Sequence, residues 1–298
     1  MYWGNGTSLI RQILKYKNCY LFIAPFFVLF FVFQLFPLVW SLVLSFHEWN
    51  GLGAMKPIGL ANYKALFTDY MFLDGLKNTT LYWVASLVLI LPLALIIASL
   101  LNSVKKGRGL FKLLSFLPYI TATVAVGLIF NIMFDYNSGF INQLIQAFGG
   151  KPVAWLTSTK LSKVPVIILN VWRITPWYTL ILFSGLLTIP VELYEAATID
   201  GANCLTKFFR ITIPSLSNLL FFCFITIAVD SWKIFAEPYI LTKGGPGTSS
   251  LSLFQYLYIN GFTLFKLGYA SAVGYILTLI LLCVSVMQQK ILKQQSGL

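Results

Sequence analysis

Six uninterrupted apolar runs decide what this chain can fold into. They cover roughly 19–46, 78–102, 113–134, 164–188, 214–235 and 267–287. Each is long enough to cross a bilayer as a helix, which takes about 20 residues. Four of the six hold no charged residue; the fourth run carries Arg173, and the fifth carries Asp230 and Lys233. A soluble interior cannot hide so much apolar surface. Of the 298 residues 58% are hydrophobic and 10% charged, with mean hydropathy +0.81, whereas about a quarter of an ordinary soluble domain is charged. Strands of a membrane barrel alternate polar and apolar residues over about ten positions, and these runs do not alternate. The fold class is therefore all-α: a polytopic membrane protein with six transmembrane helices.

The net charge of +12 suggests a polyanion partner until its distribution is read. Arg11, Lys15 and Lys17, then Lys105, Lys106, Arg108 and Lys112, then Lys207 and Arg210, then Lys290 and Lys293 fall at alternate ends of the runs. The positive-inside rule places those segments in the cytoplasm, together with both termini. Glu48, Asp69, Asp74, Asp135 and Glu237 lie on the opposite side. The basic charge reports topology, and no nucleic acid is implied. A single transmembrane domain, 19–289, is expected between a short segment 1–18 and a tail 290–298.

Cys19, Cys204, Cys223 and Cys283 have no CxxC spacing, and three lie in or beside spans, so free thiols are expected. The first apolar run, about 28 residues, exceeds a signal-peptide core, and no small-x-small cleavage site follows it. Outer loops are expected at 47–77, 135–163 and 236–266. The first should hold an interfacial helix at 62–67, with Tyr63, Leu66 and Phe67 on one side. Lys243-Gly244-Gly245-Pro246-Gly247 predicts a turn with a left-handed residue.

The cytoplasmic segment 190–213 is the most distinctive polar stretch. Pro190 pre-sets a first helical turn, Glu192 and Glu195 complement the dipole at that end, and Gly201 permits a left-handed exit. A second helical piece follows at 205–211, and Pro214 is expected to open the fifth span. Ala196, Ala197 and Ala202 are small enough for another surface to approach, and Leu193, Tyr194 and Ile199 are apolar where water is expected. Physical reasoning leaves two readings: an ordinary interhelical loop, or a docking surface.

The spacing Glu195-Ala196-Ala197, three residues, Gly201, nine residues, Ile211-Thr212-Ile213-Pro214 resembles the signature loop of the membrane subunits of bacterial ABC importers. Ile213 stands where leucine is commonest. The context from Gly185 to Ala202 resembles the sugar permeases, the group of the maltose and glycerol-phosphate transporter subunits. So do Gly59-Leu60-Ala61-Asn62-Tyr63 with Asn78-Thr79-Thr80, Leu117-Pro118, and Leu241-Thr242-Lys243-Gly244-Gly245-Pro246. The resemblance implies the type I importer fold in the bacterial inner membrane. It also implies a homologous second permease, two ATPase subunits that bind ATP and magnesium, and an extracytoplasmic sugar-binding protein docked on the outer loops. Glu195 then serves as polar contact, Gly201 as turn former and Asp200 as cap or ion pair. Gly150-Lys151 is followed by Pro152, so this chain has no phosphate-binding loop and no cofactor of its own.

Ionisable groups at bilayer depth are costly and face a cavity or a partner. Asn170, Arg173 and Trp177 share one helix face, and Ile227, Asp230, Ser231 and Ile234 form a stripe on the next span. Amide, guanidinium, indole, carboxylate and hydroxyl groups suit the hydroxyls and C–H faces of a sugar. The resemblance puts sugar contacts on these faces and leaves a disaccharide, an oligosaccharide, an acidic sugar or glycerol phosphate open. The alternative for Arg173 and Asp230 is a structural ion pair between adjacent helices. Lys233 and Glu237 are expected to snorkel to the outer interface. His47 has no companions for a metal site. An enzyme reading finds almost no support, since there is no HExxH or GxSxG and one histidine cannot make a metal cluster. An ion-coupled secondary transporter and a scaffold subunit remain as other classes.

Overall fold

The computed structural model describes residues 16–296. Arg11, Lys15 and the side chain of Lys293, from the two terminal basic clusters, lie outside the described residues. In chain order the helices begin with α1 (Lys17–Ser45), α2 (Ala61–Thr68), α3 (Tyr70–Ser103), α4 (Arg108–Ile120), α5 (Thr123–Met133) and α6 (Phe140–Ala147). They continue with α7 (Lys163–Leu186), α8 (Val191–Ile199), α9 (Cys204–Ser215), α10 (Ser217–Ser231), α11 (Ala236–Leu241), α12 (Leu253–Tyr258) and α13 (Leu267–Ser296). The strands among the described residues are β1 (His47–Glu48) and β2 (Lys56–Pro57), paired antiparallel with His47 opposite Pro57.

Four helices, α1, α3, α7 and α13, are long and apolar enough to span a membrane unbroken. The other two apolar runs are bent pairs, α4 with α5 at 88° and α9 with α10 at 73°, which makes six spans when each pair counts as one. Continuous apolarity at 113–134 therefore does not produce a continuous helix. Thr121 and Ala122 are extended at the bend. Leu117 O accepts both the Thr121 amide and its hydroxyl, and Pro118 supplies no amide to the preceding turn. Pro214 likewise does not open the fifth long helix. It sits in the last turn of α9 behind a π turn at Phe208–Thr212, and α10 starts at Ser217 after a break at Leu216. The missing proline N–H and the i→i+5 register around it give this kink its cause.

The core is built on α3 and α7, which pack along most of their length. Ile90, Ala94, Ala98 and Leu101 recur at helical spacing on α3 and meet Tyr178, Leu182 and Leu186 of α7, with Ile227 of α10. Ala94 and Ala98 are fully buried; small side chains let helices close together where lipid offers no hydrophobic drive. α1 keeps nearly all its apolar side chains exposed and is buried only at Leu44 and Ser45, where it meets α13. The start of α13 touches the turn after α1 so closely that a Cβ at Gly268 would lie 1.9 Å from His47 O. The expected interfacial helix is α2, with Leu66 buried and Tyr63 half-buried; Phe67, expected on that same side, stays exposed.

Where the first turns of α3 face the segment 242–253, sequence-distant pieces meet. Asn78 Nδ2 donates to Thr248 O and Leu251 O at 2.8 and 3.0 Å, and Tyr82 donates to Ser250 O at 2.9 Å. The Leu253 amide donates to Thr79 Oγ1 at 2.8 Å. The segment 242–253 is thus sewn onto α3, and Lys243, Gly244 and Gly247 in its turn have the expected positive φ. The described cysteines are free thiols, as expected, with Cys223 buried.

Candidate substrate cavity and coupling segment

Where α7, α10 and α11 converge, a cavity of about 420 Å³ opens. Asn170 and Arg173 come from α7, Ile227, Asp230 and Ser231 from α10, and Ile234 from the turn after it; Ile90, Ile174, Lys233, Phe235, Ala236, Glu237 and Phe254 complete the wall. Six of the seven residues expected on a substrate path therefore share one cavity. Trp177 is not among them: its indole stacks on Tyr119, with ring centroids 5.2 Å apart, and is 43% exposed. Helical spacing put Trp177 on the face of Asn170 and Arg173, but one further turn carries it beyond the cavity floor to α4.

The polar groups are held from behind. Asn170 Nδ2 donates to Ser86 Oγ of α3 at 3.0 Å, which fixes the amide. Ser231 Oγ donates to Ile227 O at 2.6 Å, a back-bond that leaves its lone pairs available. Tyr178 donates to Asp230 Oδ2 at 3.2 Å. Arg173 does not pair with Asp230. It donates from Nε and Nη2 to Glu237 Oε1 at 3.0 and 2.6 Å, and Glu237 is only 2% exposed. Both expectations for these charges need correction: the ion pair runs from α7 to α11, and Glu237 is buried and paired instead of snorkelling. The structure makes this necessary because α11 folds back over the cavity, and a carboxylate in such a place requires a cation. Lys233 is exposed.

Sequence reasoning missed Glu237, Phe235 and Phe254 as wall residues. A carboxylate inside the otherwise apolar stretch Ile234–Leu241 was the available signal for Glu237. The fold-back of Phe254 had none, since it depends on the turn at 242–253.

At the other end of α10, the segment 190–213 folds as two short helices. Glu192 lies in the first turn of α8, which starts after Pro190. Gly201 takes φ +78°, and the Ala202 and Gly201 amides donate to Ala197 O and Thr198 O at 2.8 and 3.1 Å. That is a Schellman ending, with glycine where a Cβ would be strained. Asp200 is the residue at which α8 ends; the ion pairs among the described residues do not include it. Asn203 caps α9 by accepting the Thr206 amide at 2.8 Å. Tyr194 and Thr212 share a hydroxyl–hydroxyl bond of 2.9 Å, and Lys207 Nζ donates to Thr198 Oγ1 at 2.7 Å, so α8 is tied to α9. Glu195, Ala196, Asp200 and Gly201 face outward, as do Leu193, Leu205 and Ile199, the last at 88%. Ala197 and Ile211 are half-buried and Pro214 is exposed.

No group of three or more potential metal ligands occurs among the described residues. What the arrangement offers is a connection: the outward-facing helix α8 is joined through α9 and α10 to the wall of a polar cavity. On a frame of apolar helices, that pairing has the architecture of a membrane transport subunit.

Comparison with known proteins places it more narrowly. Residues 90–294 match the family described as binding-protein-dependent transport system inner membrane component, and this chain belongs to that family of multi-pass ABC importer permeases. It is 36% identical over 279 residues to the probable ABC transporter permease protein YurN of Bacillus subtilis, covering 92% of this chain and 95% of that protein. It is 34% identical to the arabinooligosaccharides transport system permease protein AraP of the same organism, covering 91% and 87%. The lactose transport system permease protein LacF of Rhizobium radiobacter is 35% identical, with 91% and 92% covered. A solved bacterial ABC transporter involved in the import of the acidic polysaccharide alginate has the same fold, with a TM-score of 0.84 over 96% of this chain and 98% of that one at 20% identity.

Proposed function

We propose that this chain carries a sugar, of di- or oligosaccharide size, across the inner membrane as one permease of an ATP-driven importer. An extracytoplasmic binding protein delivers the sugar to the outer loops 47–77, 135–163 and 236–266. A homologous second permease completes the translocation path, and two separate ATPase subunits bind ATP and magnesium. Both termini and segment 190–213 face the cytoplasm, in line with the positive-inside distribution.

The observation that carries this reading is the continuous connection from α8 to the cavity. Closure of an ATPase pair would push on α8 through Glu195, Ala196, Ala197, Asp200 and Gly201. The Tyr194–Thr212 and Lys207–Thr198 bonds pass the push to α9. Ile211 and Pro214 lie at the joint with α10, whose far end bears Asp230 and Ser231. A displacement at the docking helix is then felt where sugar hydroxyls would bind. The relatives named for arabinooligosaccharide and lactose transport support a carbohydrate cargo.

Affinity purification of the tagged chain from its native membrane tests this. An ATPase and a second permease should co-purify, and in proteoliposomes the assembly should take up a sugar only with ATP inside and the binding protein outside. A chain that purifies alone and transports without ATP would instead be a secondary transporter.

A further inference from the structure

The cavity wall contains four ionisable side chains, Arg173, Asp230, Lys233 and Glu237, and they sum to no formal charge. The arginine and the glutamate are locked together. Two guanidinium N–H groups end on one oxygen of a carboxylate that is 2% exposed. A guanidinium has five N–H groups, so three are left for a ligand. The pair therefore presents a rigid fork of donors whose charge is cancelled at its source. Such a fork can bind hydroxyl oxygens, yet it exerts little net pull on an anion.

We propose that Glu237 is a charge-selectivity residue, which neutralises Arg173 and so sets the cavity to accept uncharged sugars and disfavour acidic ones. This rests on the reading of the chain as a sugar permease. Asn170, anchored on Ser86, supplies neutral hydrogen bonding beside the pair. Glu237 acts through Arg173, and so is a positioning residue.

The test uses the assembled transporter in nanodiscs without its binding protein, because that protein filters cargo upstream. Saturation-transfer NMR is recorded with a neutral pool (maltotriose, lactose, arabinotriose) and an acidic pool (trigalacturonate, cellobiouronic acid). The wild type should transfer to at least one neutral sugar and more weakly to the acidic ones. Glu237→Gln keeps the shape but leaves one positive charge in the cavity, so the acidic-to-neutral ratio should rise on the order of tenfold. The double variant Arg173→Gln with Glu237→Gln removes both charges and should return the ratio to the wild-type side, which also covers a poorly folding single variant. Equal transfer from both pools in the wild type, no transfer from any neutral sugar, or an unchanged ratio in Glu237→Gln overturns the proposal. Binding-protein-dependent uptake by the same proteins reconstituted in proteoliposomes separates the two readings: its absence in the wild type sinks the permease reading, whereas normal uptake with unaltered selectivity sinks only this one.

Discussion

Asn78 shows how much a single polar side chain can organise in an apolar protein. It is 5% exposed, and its amide holds two carbonyls of the segment 242–253. Replacing it with alanine removes a donor from both and opens a gap against α3. Leaving buried polar groups unpaired costs about 1–3 kcal/mol. Asn78→Ala should therefore lower the thermal unfolding midpoint of the detergent-solubilised protein, whereas Asn50→Ala, at an exposed position of the hairpin loop, should change it little. Equal midpoints for the two variants would show that the segment is held by packing alone. Sequence reasoning noticed Asn78 only as part of a resembling motif, because its acceptors lie 170 and 173 positions away.

The decisive element is α8. It is short, ends on a left-handed glycine, and has both of its Schellman bonds in place. A Cβ at Gly201 would meet nothing within 4 Å, so the constraint there is the backbone angle and the surface offered outward, not internal space. Gly201→Asp should strain the ending and put a bulky charge on the docking face while leaving the membrane helices intact. The expected result is normal membrane insertion with ATP-driven uptake reduced at least tenfold and ATPase subunits retained poorly. Normal uptake by this variant would remove α8 from the coupling path. This element was legible from sequence, since proline, acidic residues, alanines and glycine each act within a few residues of one another. The bends at Thr121–Ala122 and Leu216 were not: hydropathy reports how apolar a run is, and says little about whether its hydrogen-bond ladder continues.

Across the whole molecule, Asp69 joins three elements. It caps α3 by accepting the Met71 amide at 2.8 Å, and Oδ2 accepts from Tyr256 of α12 at 2.5 Å and Tyr269 of α13 at 3.1 Å. Burial pushes its carboxyl up, but the bonds from Tyr256, Met71, Tyr269 and Phe72 outweigh it and leave the pKa below the ordinary 3.8. A depressed carboxyl adds stability that is fully present above its unfolded pKa and is lost as pH falls through the folded one. Unfolding scans between pH 5 and pH 3, roughly spanning the usual aspartate range, should show stability falling at the acid end in the wild type. In Asp69→Asn that acid-side loss should be smaller, with lower stability at pH 5. Parallel profiles would mean that the junction does not sense its charge.

The sequence by itself determined the membrane class, the number of apolar runs, the short helix that ends on Gly201 and the two faces from which the cavity is made. Each of these follows from local composition, from helical periodicity or from turn residues a few positions apart. Only the tertiary structure decided the partner of Arg173, the burial of Glu237, the departure of Trp177 to Tyr119 and the bends in two of the spans. Those outcomes depend on where α11 folds back and how α4 meets α7, which set which charges and rings come within contact distance. In a low-dielectric interior, proximity governs the energy of a charge, and no spacing along the chain encodes it.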